Sequence, residues 1–311
     1  MTESRAPQET GPGATETRAP QVRIGPLSGR RLRVTAGGRF AAAYTLGAWR
    51  PYVYPLLTPS GLPVTEESPP DHPHHQSLWL GQDEVNGHNL WLNRAGCGRI
   101  DAPPPRTRVV PGPDGPAAVF GQEAVWRAAD GTPLLRERRV TAVTPTAGGT
   151  LVDVLSERTP AEGPAGAGGV TLGATKEAGF GVRLLDPLDE LDGGTLVNDG
   201  GGRGEAGTFD REARWVDYWG RLGGRAAGVA LFPHPDNPPH PWFTRAYGIV
   251  LCNHHRFAPQ TLRPGETLRL QWRAVAHDGT TEDAGVAGLY AAYLDVARRG
   301  LAAALAAAPA W

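Results

Sequence analysis

The chain has 311 residues, of which 40% are hydrophobic, and its formal net charge is −1. This apolar content is enough for a sizeable core, while the lack of net positive charge disfavours nucleic acid or a membrane surface as a partner. No segment reaches the roughly 18 consecutive apolar residues that a membrane-spanning helix requires. Two cysteines are too few for a disulfide framework, so we expect a reducing, cytoplasmic location.

Residues 1–20 are polar and rich in Thr, Glu, Pro and Gly. They lack the basic and apolar regions of a signal peptide. We predict that they form a disordered tail, and that residues 21–311 form a single domain.

From Val22 onward, short runs of alternating apolar and polar residues are separated by Gly and Pro turns. The clearest run, Glu266 to Ala276, follows the turn Pro264-Gly265 and indicates a strand with one buried face. The other predicted strands cover 31–36, 118–128, 134–143, 150–157, 179–185, 213–219, 226–232 and 246–252. Such regular spacing of strands predicts an all-β sandwich or barrel.

The end of the chain is different. A hydroxyl cap and acidic residues at 280–283 indicate the start of a helix. Apolar residues then recur at helical spacing, which predicts one amphipathic helix from about 281 to 308. We expect the helix to pack across the sandwich; a contact in a homo-oligomer is the alternative use of its apolar stripe.

Three of the nine histidines fall within the segment Asp71-His72-Pro73-His74-His75. Imidazole exchanges protons near neutral pH and is the commonest metal ligand. In an extended segment His72 and His74 would share one face while His75 points away. The cluster is therefore a candidate site for acid/base chemistry or metal binding; the alternative is a structural turn beside Trp79 and Trp91.

A second group of histidines lies in the proline-rich segment 232–242, and a third in residues 253–256. Prolines fix the backbone, so His234, Asn237 and Trp242 would be carried on a stiff loop. Such loops suit ligand recognition because little ordering remains to be done on binding. Protection of a sheet edge is the alternative explanation.

Lys176 is the only lysine of the chain, and it precedes Glu177. A buried lysine can lose its proton and act as a base, whereas arginine cannot, so this position is a candidate for catalysis. Chance survival in an arginine-rich sequence is the competing explanation. Arg183, on the following strand, could anchor an anionic or hydroxyl-rich group.

Several segments match one known family in order: residues 50–55, 59–61, 71–75, 78–79, 175–183, 204–205, 213–218, 234–238, 264–266 and 277–279. They resemble the family catalogued as DUF6807, often labelled methane oxygenase PmoA. A membrane-bound copper oxygenase needs several spanning helices, and this sequence has none. The sequence departs from the pattern at Gln76-Ser77, where the resemblance leads us to expect Arg-Gly.

The resemblance implies a β-sandwich and, more loosely, is similar to the galactose-mutarotase supersandwich, in which His and Glu side chains of one sheet handle sugars. We therefore expect acid/base chemistry of the epimerase, mutarotase, lyase or hydrolase type on a sugar or oxidised sugar, with no cofactor and a small-molecule carbohydrate as partner. The expected catalytic residues are His74, His75, Lys176 and Glu177. The expected substrate-binding residues are Arg50, His72, Trp79, Arg183, Trp215, Tyr218, His234, Asn237 and Trp242.

Two alternatives stay open. One is a hydrolase or lyase that depends on a divalent metal held by His72, His74 and His234, which requires these ligands to converge on one point. The other is a carbohydrate-binding sandwich without catalytic activity, which would present aromatic and amide side chains.

Overall fold

The computed structural model describes residues 21–298, with the side chains of all of them except 164 and 165. In chain order its strands are β1 (Val22–Leu27), β2 (Arg31–Ala36), β3 (Arg39–Leu46), β4 (Pro51–Leu56), β5 (Leu78–Gln82), β6 (Glu84–Val85), β7 (His88–Asn89), β8 (Arg99–Asp101), β9 (Arg106–Gly112), β10 (Gly115–Arg127), β11 (Pro133–Pro145), β12 (Thr150–Pro160), β13 (Val170–Leu172), β14 (Ala178–Arg183), β15 (Thr195–Asn198), β16 (Val216–Leu222), β17 (Arg225–Pro233), β18 (Trp242–Arg245), β19 (Ile249–Cys252), β20 (Gln260–Leu262) and β21 (Leu268–Asp278). The helices are α1 (Pro164–Ala167), α2 (Gly204–Thr208), α3 (Val286–Arg298) and a 3-10 turn (Asp186–Leu188).

Two large antiparallel sheets pack face to face. The first sheet has the strand order β1-β2-β3-β4-β5-β14-β19-β18. The second has the order β15-β16-β17-β21-β12-β11-β10-β8, with β9 also paired to β10. A small sheet, β20-β13-β6-β7, completes the fold. The prediction of an all-β antiparallel sandwich with a C-terminal helix is confirmed.

The main core lies between the two sheets and follows the alternation of the strands. On β14, Phe180 and Val182 point into this core, and the Phe180 ring stacks on Trp272 of β21 with centroids 5.2 Å apart. The alternate residues of this strand, Gly181 and Arg183, therefore belong to the outer face of the first sheet. This alternation decides which side chains reach the core and which reach the surface.

Helix α3 covers the outer face of the second sheet. Its buried residues Val286, Tyr290 and Tyr293 pack with Phe232 of β17 and Val275 of β21. The helix begins at Val286, later than the predicted 281, because residues 281–285 form turns. The predicted continuation from 299 to 308 and the predicted tail at 1–20 lie outside the described residues.

A buried polar contact ties the start of α3 to the second sheet. The Asp217 carboxylate on β16 lies 2.9 Å from Nε2 of His277 on β21 and accepts a 2.6 Å hydrogen bond from Thr281. Burial alone would lower the pKa of His277, but the Asp217 carboxylate raises it. This contact gives Asp217 and His277 structural roles.

Within residues 21–298, none of the helices has the length and apolar character needed to cross a bilayer.

Candidate functional site

The outer face of the first sheet carries an aromatic and aliphatic cluster of its own. Trp79 of β5 and Leu251 of β19 belong to it, together with Tyr52, Phe243 and Ile249. Trp91 joins from the loop after β7, with its ring centroid 5.3 Å from that of Trp79. Gly81 allows this approach, since a Cβ atom at this position would lie 3.0 Å from the Trp91 ring. The result is a buried apolar cluster beside the histidine-rich loop.

The histidine-rich loop is a folded turn. The His72 N–H donates to the Pro69 carbonyl, and the His75 N–H donates to the His72 carbonyl. The rings of His72 and His75 stack with centroids 4.6 Å apart and planes 5° apart. The expectation that His75 points away from His72 is wrong, because this turn replaces the extended backbone that the expectation assumed.

The three imidazoles form one continuous stack with neighbouring aromatic rings. His74 lies edge-on to His75, 4.6 Å between centroids, and the Tyr247 ring lies 4.7 Å from His72 and 6.4 Å from His75. Trp79 contacts His75 from the sheet at 5.3 Å. We call His72, His74 and His75, with Arg50, Trp79, Trp91, Arg183 and Tyr247, the histidine site.

Arg183 attaches the loop to β14. Its guanidinium binds Asp71 and Asp186, each at 2.9 Å, and lies over the Tyr247 ring. Asp71 also accepts a 2.8 Å hydrogen bond from His72. Partial burial opposes ionisation, yet the contacts with His72 and Arg183 lower the pKa of Asp71 to about 2. Arg183 therefore positions the imidazoles, and its contacts with two carboxylates already use part of its donor fork.

Ser77 closes the loop at the start of β5. Its φ is 61°, in the left-handed region that favours glycine, and its hydroxyl contacts the Val53 carbonyl and the Thr65 hydroxyl. Glycine adopts this positive φ without strain, which agrees with the glycine that the family resemblance leads us to expect at this position. The two hydroxyl contacts stabilise serine in that conformation.

Burial keeps the inner imidazoles neutral. It lowers the pKa of His75 to about 2 and that of His74 to about 4, and the neighbouring imidazoles add to the effect. At neutral pH each ring therefore offers one N–H donor and one nitrogen lone pair.

Buried polar atoms without a hydrogen-bond partner among the described residues are concentrated at this site. They are Nε and Nη1 of Arg50, Oε2 of Glu66, Nε2 of His74, Nδ1 of His75, Oε1 of Gln76, Nε1 of Trp79, Nε1 of Trp91 and Nε of Arg183. Nearly all buried polar groups in folded proteins are paired, so a group of exceptions indicates a place where ligand or water atoms complete the bonding.

Arg50 carries a buried positive charge that no carboxylate at the site neutralises. It is 1% exposed, and its Nη2 donates to the Trp91 carbonyl and to Asn93. No carboxylate pairs with it in the part of the chain that the structure describes. Burial and the nearby Arg139 lower its pKa to about 9. A buried cation without a counterion favours the binding of an anionic or strongly polar group beside it.

Glu177 and Lys176 precede β14 near this face. Burial raises the pKa of Glu177, and Lys176 Nζ lies 3.8 Å from its carboxylate. The Lys176 side chain is 60% exposed, so it lacks the buried surroundings that a neutral catalytic lysine requires. Glu177 remains a candidate proton-transfer group, whereas the structure gives Lys176 a surface position.

The family model of DUF6807, described as a family of unknown function, matches residues 31–291. The match covers most of the chain. The chain belongs to DUF6807. A search of curated proteins finds no match.

Three aromatic residues expected to bind substrate lie elsewhere in this DUF6807 chain. Tyr218 points into the core between the sheets, and its hydroxyl donates to the Ala246 carbonyl and accepts the Glu190 N–H. Trp242 is in the same core and donates to the Ala213 carbonyl. Trp215 packs in the cluster under α3. Their aromatic character reflects packing, so we correct their assignment as ligand contacts.

The proposed metal set does not assemble. His234 contacts Tyr293 of α3, on the side of the second sheet, whereas His72 and His74 lie on the outer face of the first sheet. Among residues 21–298, no three His, Cys, Asp or Glu side chains are grouped as metal ligands. His234 is therefore separated from the other two predicted ligands by the core of the sandwich.

Asn237 is bound on both sides by the backbone of β21. Its amide donates to the Gln271 carbonyl at 2.6 Å, and its carbonyl oxygen accepts the Gln271 N–H at 3.0 Å. The side chain thus extends the hydrogen bonding of β21 as an added strand would. These contacts explain why the expected role in substrate binding is not available to Asn237.

We expect Asn237→Ala to lower the free energy of unfolding by about 1–3 kcal/mol, because the Gln271 N–H loses its partner and the Gln271 carbonyl keeps only the His234 N–H. Urea unfolding measures this change. Ligand binding at the histidine site should stay unchanged; weaker binding without loss of stability would contradict the structural role.

Sequence reasoning missed two contributors to the site. Tyr247 comes from the connection between β18 and β19, and Asn93 from the loop after β7. Neither has a local motif that marks it. Two sequence features did point to this site: the segment around Arg183 that resembles the family, and the tryptophans near the histidine-rich loop. The contact between His72 and Tyr247 arises only from the order of strands in the sheet.

Proposed function

We propose that this DUF6807 protein is a carbohydrate-active enzyme whose histidine site performs acid/base chemistry on an oxidised sugar. The observation that carries the proposal is the concentration of unpartnered buried donors around Arg50, next to the imidazole stack. Hydroxyl and carboxylate groups are the natural partners of such donors. The looser similarity to mutarotase-type sandwiches supports the same ligand class.

The residues divide into binding and proton-transfer roles. The indole N–H groups of Trp79 and Trp91 and the free N–H groups of Arg50 would bind substrate oxygens. His74, whose Nε2 has no partner, would exchange a proton with the substrate, and His75 would support its ring. An anionic substrate would raise the pKa of His74 from about 4 toward neutrality, which strengthens it as a base.

Glu177 would be the second proton-transfer group. Its raised pKa favours the protonated form that a general acid needs. Epimerisation and β-elimination both remove a proton from one carbon and require a proton donor elsewhere. His74 and Glu177 lie in different environments, so one can act as the base and the other as the acid.

The test is turnover of aldoses, ketoses, aldonates and uronates in D₂O, followed by NMR. Epimerisation and elimination show as deuterium incorporation or a new product, and mutarotation shows as faster anomer exchange. We expect His74→Gln to reduce turnover by about 10²–10⁴-fold, the usual contribution of a general acid or base. The matched control is His234→Gln on the other side of the sandwich, which should keep full activity. Full activity in both variants would refute the assignment.

A binding role without catalysis is the second candidate. The low pKa values of His74 and His75 favour it, since such weakly basic imidazoles are poor proton acceptors. Calorimetric binding of a sugar acid, weakened in Arg50→Met and unaccompanied by turnover, would support this role instead.

A further inference from the structure

A second group of unpartnered polar atoms lies between the two sheets. Arg158 of β12 is 1% exposed, and its guanidinium lies over the Trp126 ring at 5.4 Å. Within residues 21–298 its Nε has no hydrogen-bond partner. The other unpartnered atoms are Nε2 of His240, Nε2 of His254 and Nε1 of Trp272. We call these four residues the Arg158 cluster.

Among the described residues Arg158 has no carboxylate partner, because the nearby carboxylate is already engaged by other donors. Glu137 accepts hydrogen bonds from Trp126 Nε1, Ser156 Oγ and both Nε and Nη2 of Arg139, all between 2.7 and 2.9 Å. The neighbourhood thus holds two guanidinium groups and one carboxylate. The charge of Arg158 is not balanced by a contact of its own.

The two imidazoles are held by one backbone oxygen. Nδ1 of His254 lies 3.0 Å from the Pro238 carbonyl, and Nδ1 of His240 lies 3.4 Å from the same atom. A carbonyl oxygen only accepts, so each Nδ1 carries the hydrogen and each neutral Nε2 keeps a lone pair. The ring centroids are 4.3 Å apart. Two hydrogen-bond acceptors therefore lie close together in the cluster.

The donors come from strands β12 and β21 of the second sheet. The Trp272 ring is 6.1 Å from that of His254, and Arg158 is close enough to His254 to influence its charge. The cluster also adjoins the surface, because His240 lines a cavity of about 540 Å³ with Pro238 and Pro239. That cavity gives small molecules a way to reach the edge of the cluster.

We propose that the Arg158 cluster is a binding site for a small hydroxycarboxylate, distinct from the histidine site. A guanidinium matches the planar carboxylate, and the indole N–H adds a further donor. The lone pairs of His240 and His254 would accept the ligand hydroxyl. The positive charge of Arg158 disfavours a metal cation, which two imidazoles alone would otherwise attract.

The proposal is tested with glycolate, acetate and sodium chloride at equal ionic strength. A ligand at about a hundredfold its Kd should raise the Tm by roughly 5 °C. We expect this shift with glycolate, at least fivefold weaker binding of acetate, and no shift with chloride. No shift with about 100 mM glycolate, or equal binding of glycolate and acetate, would overturn the proposal.

Arg158→Met is the decisive variant. It should abolish the glycolate shift without lowering the Tm of the free protein, since an apolar side chain of similar size replaces an unpaired buried charge. The matched control is Arg139→Met, which removes a paired guanidinium and should lower the Tm. If Arg158→Met lowers the Tm equally, Arg158 is structural and the proposal fails.

A milder variant guards against failure to fold. Trp272→Phe keeps the ring but loses the donor, so glycolate should bind several-fold more weakly. A shift that persists in both variants, or that disappears in Arg50→Met instead, would place the anion outside the Arg158 cluster and refute its assignment.

Discussion

Acidification from pH 7 to pH 5 is expected to reduce the free energy of unfolding by on the order of 5 kcal/mol, because buried imidazoles must become charged when the chain unfolds. Burial lowers the folded-state pKa of His75 to about 2 and those of His240 and His255 to about 4. Their unfolded value is about 6.5, so each contributes about 1.8 kcal/mol of the loss over this range.

The sign follows from the direction of the shifts. A lowered histidine pKa gives stability that is complete above the unfolded value and is lost as the pH falls toward the folded value. The lowered pKa values of His74 and His254 add to the loss, whereas His277 and Glu177, whose pKa values are raised, offset part of it. Urea unfolding at pH 7, 6 and 5 measures the change. The control, His255→Gln, should show a shallower pH dependence; equal stability of the wild-type protein at pH 7 and pH 5 would contradict the expected burial.

Glu137→Gln is expected to lower the free energy of unfolding by about 3–5 kcal/mol. The variant removes the carboxylate that pairs with Arg139, which Glu137 contacts through both carboxylate oxygens. Burial opposes ionisation of Glu137, yet Arg139 and Ser156 lower its pKa, so the carboxylate is charged in the folded protein. Chemical denaturation followed by tryptophan fluorescence measures the loss.

Two comparisons separate charge from packing. Glu157→Gln removes an ion pair with Arg138 on the same sheet, where both side chains are partly exposed. It should lower the free energy of unfolding by less than about 1 kcal/mol. The double variant Glu137→Leu with Arg139→Met removes both buried charges and should be less destabilised than Glu137→Gln alone. A Glu137→Gln loss no greater than that of Glu157→Gln would show that the pair contributes little.

The long strands of the second sheet could be predicted from sequence because one face of each packs in the core between the sheets and the other face has different surroundings. The run from Glu266 appears as β21, and the runs from Ala118 and Leu134 appear as β10 and β11. Strands β1, β3 and β4 of the first sheet were missed, as were β8, β9 and β15 of the second. Much of β3 is buried on both faces, so its residues Ala41 to Thr45 show no alternation of apolar and polar side chains.

The histidine-rich loop was found from sequence, but its shape was not. Its density of imidazoles gave the location, and the nearby prolines at 69, 70 and 73 favour the turn that the structure contains. The position of Lys176 could not be derived, since being the only lysine says nothing about burial. Tyr218 could have been assigned to the core, because alternation along residues 214–218 puts it on the same face as Val216.

The attachment of the loop through Arg183 and Asp71 responds differently to acid and to dissolved ions. Because the pKa of Asp71 is about 2, this ion pair persists under mildly acidic conditions. The Asp71 side chain is 44% exposed, however, and mobile counterions weaken contacts between charges that water can reach. Ionic strength, more than protons, therefore governs how firmly the imidazole stack is held against β14.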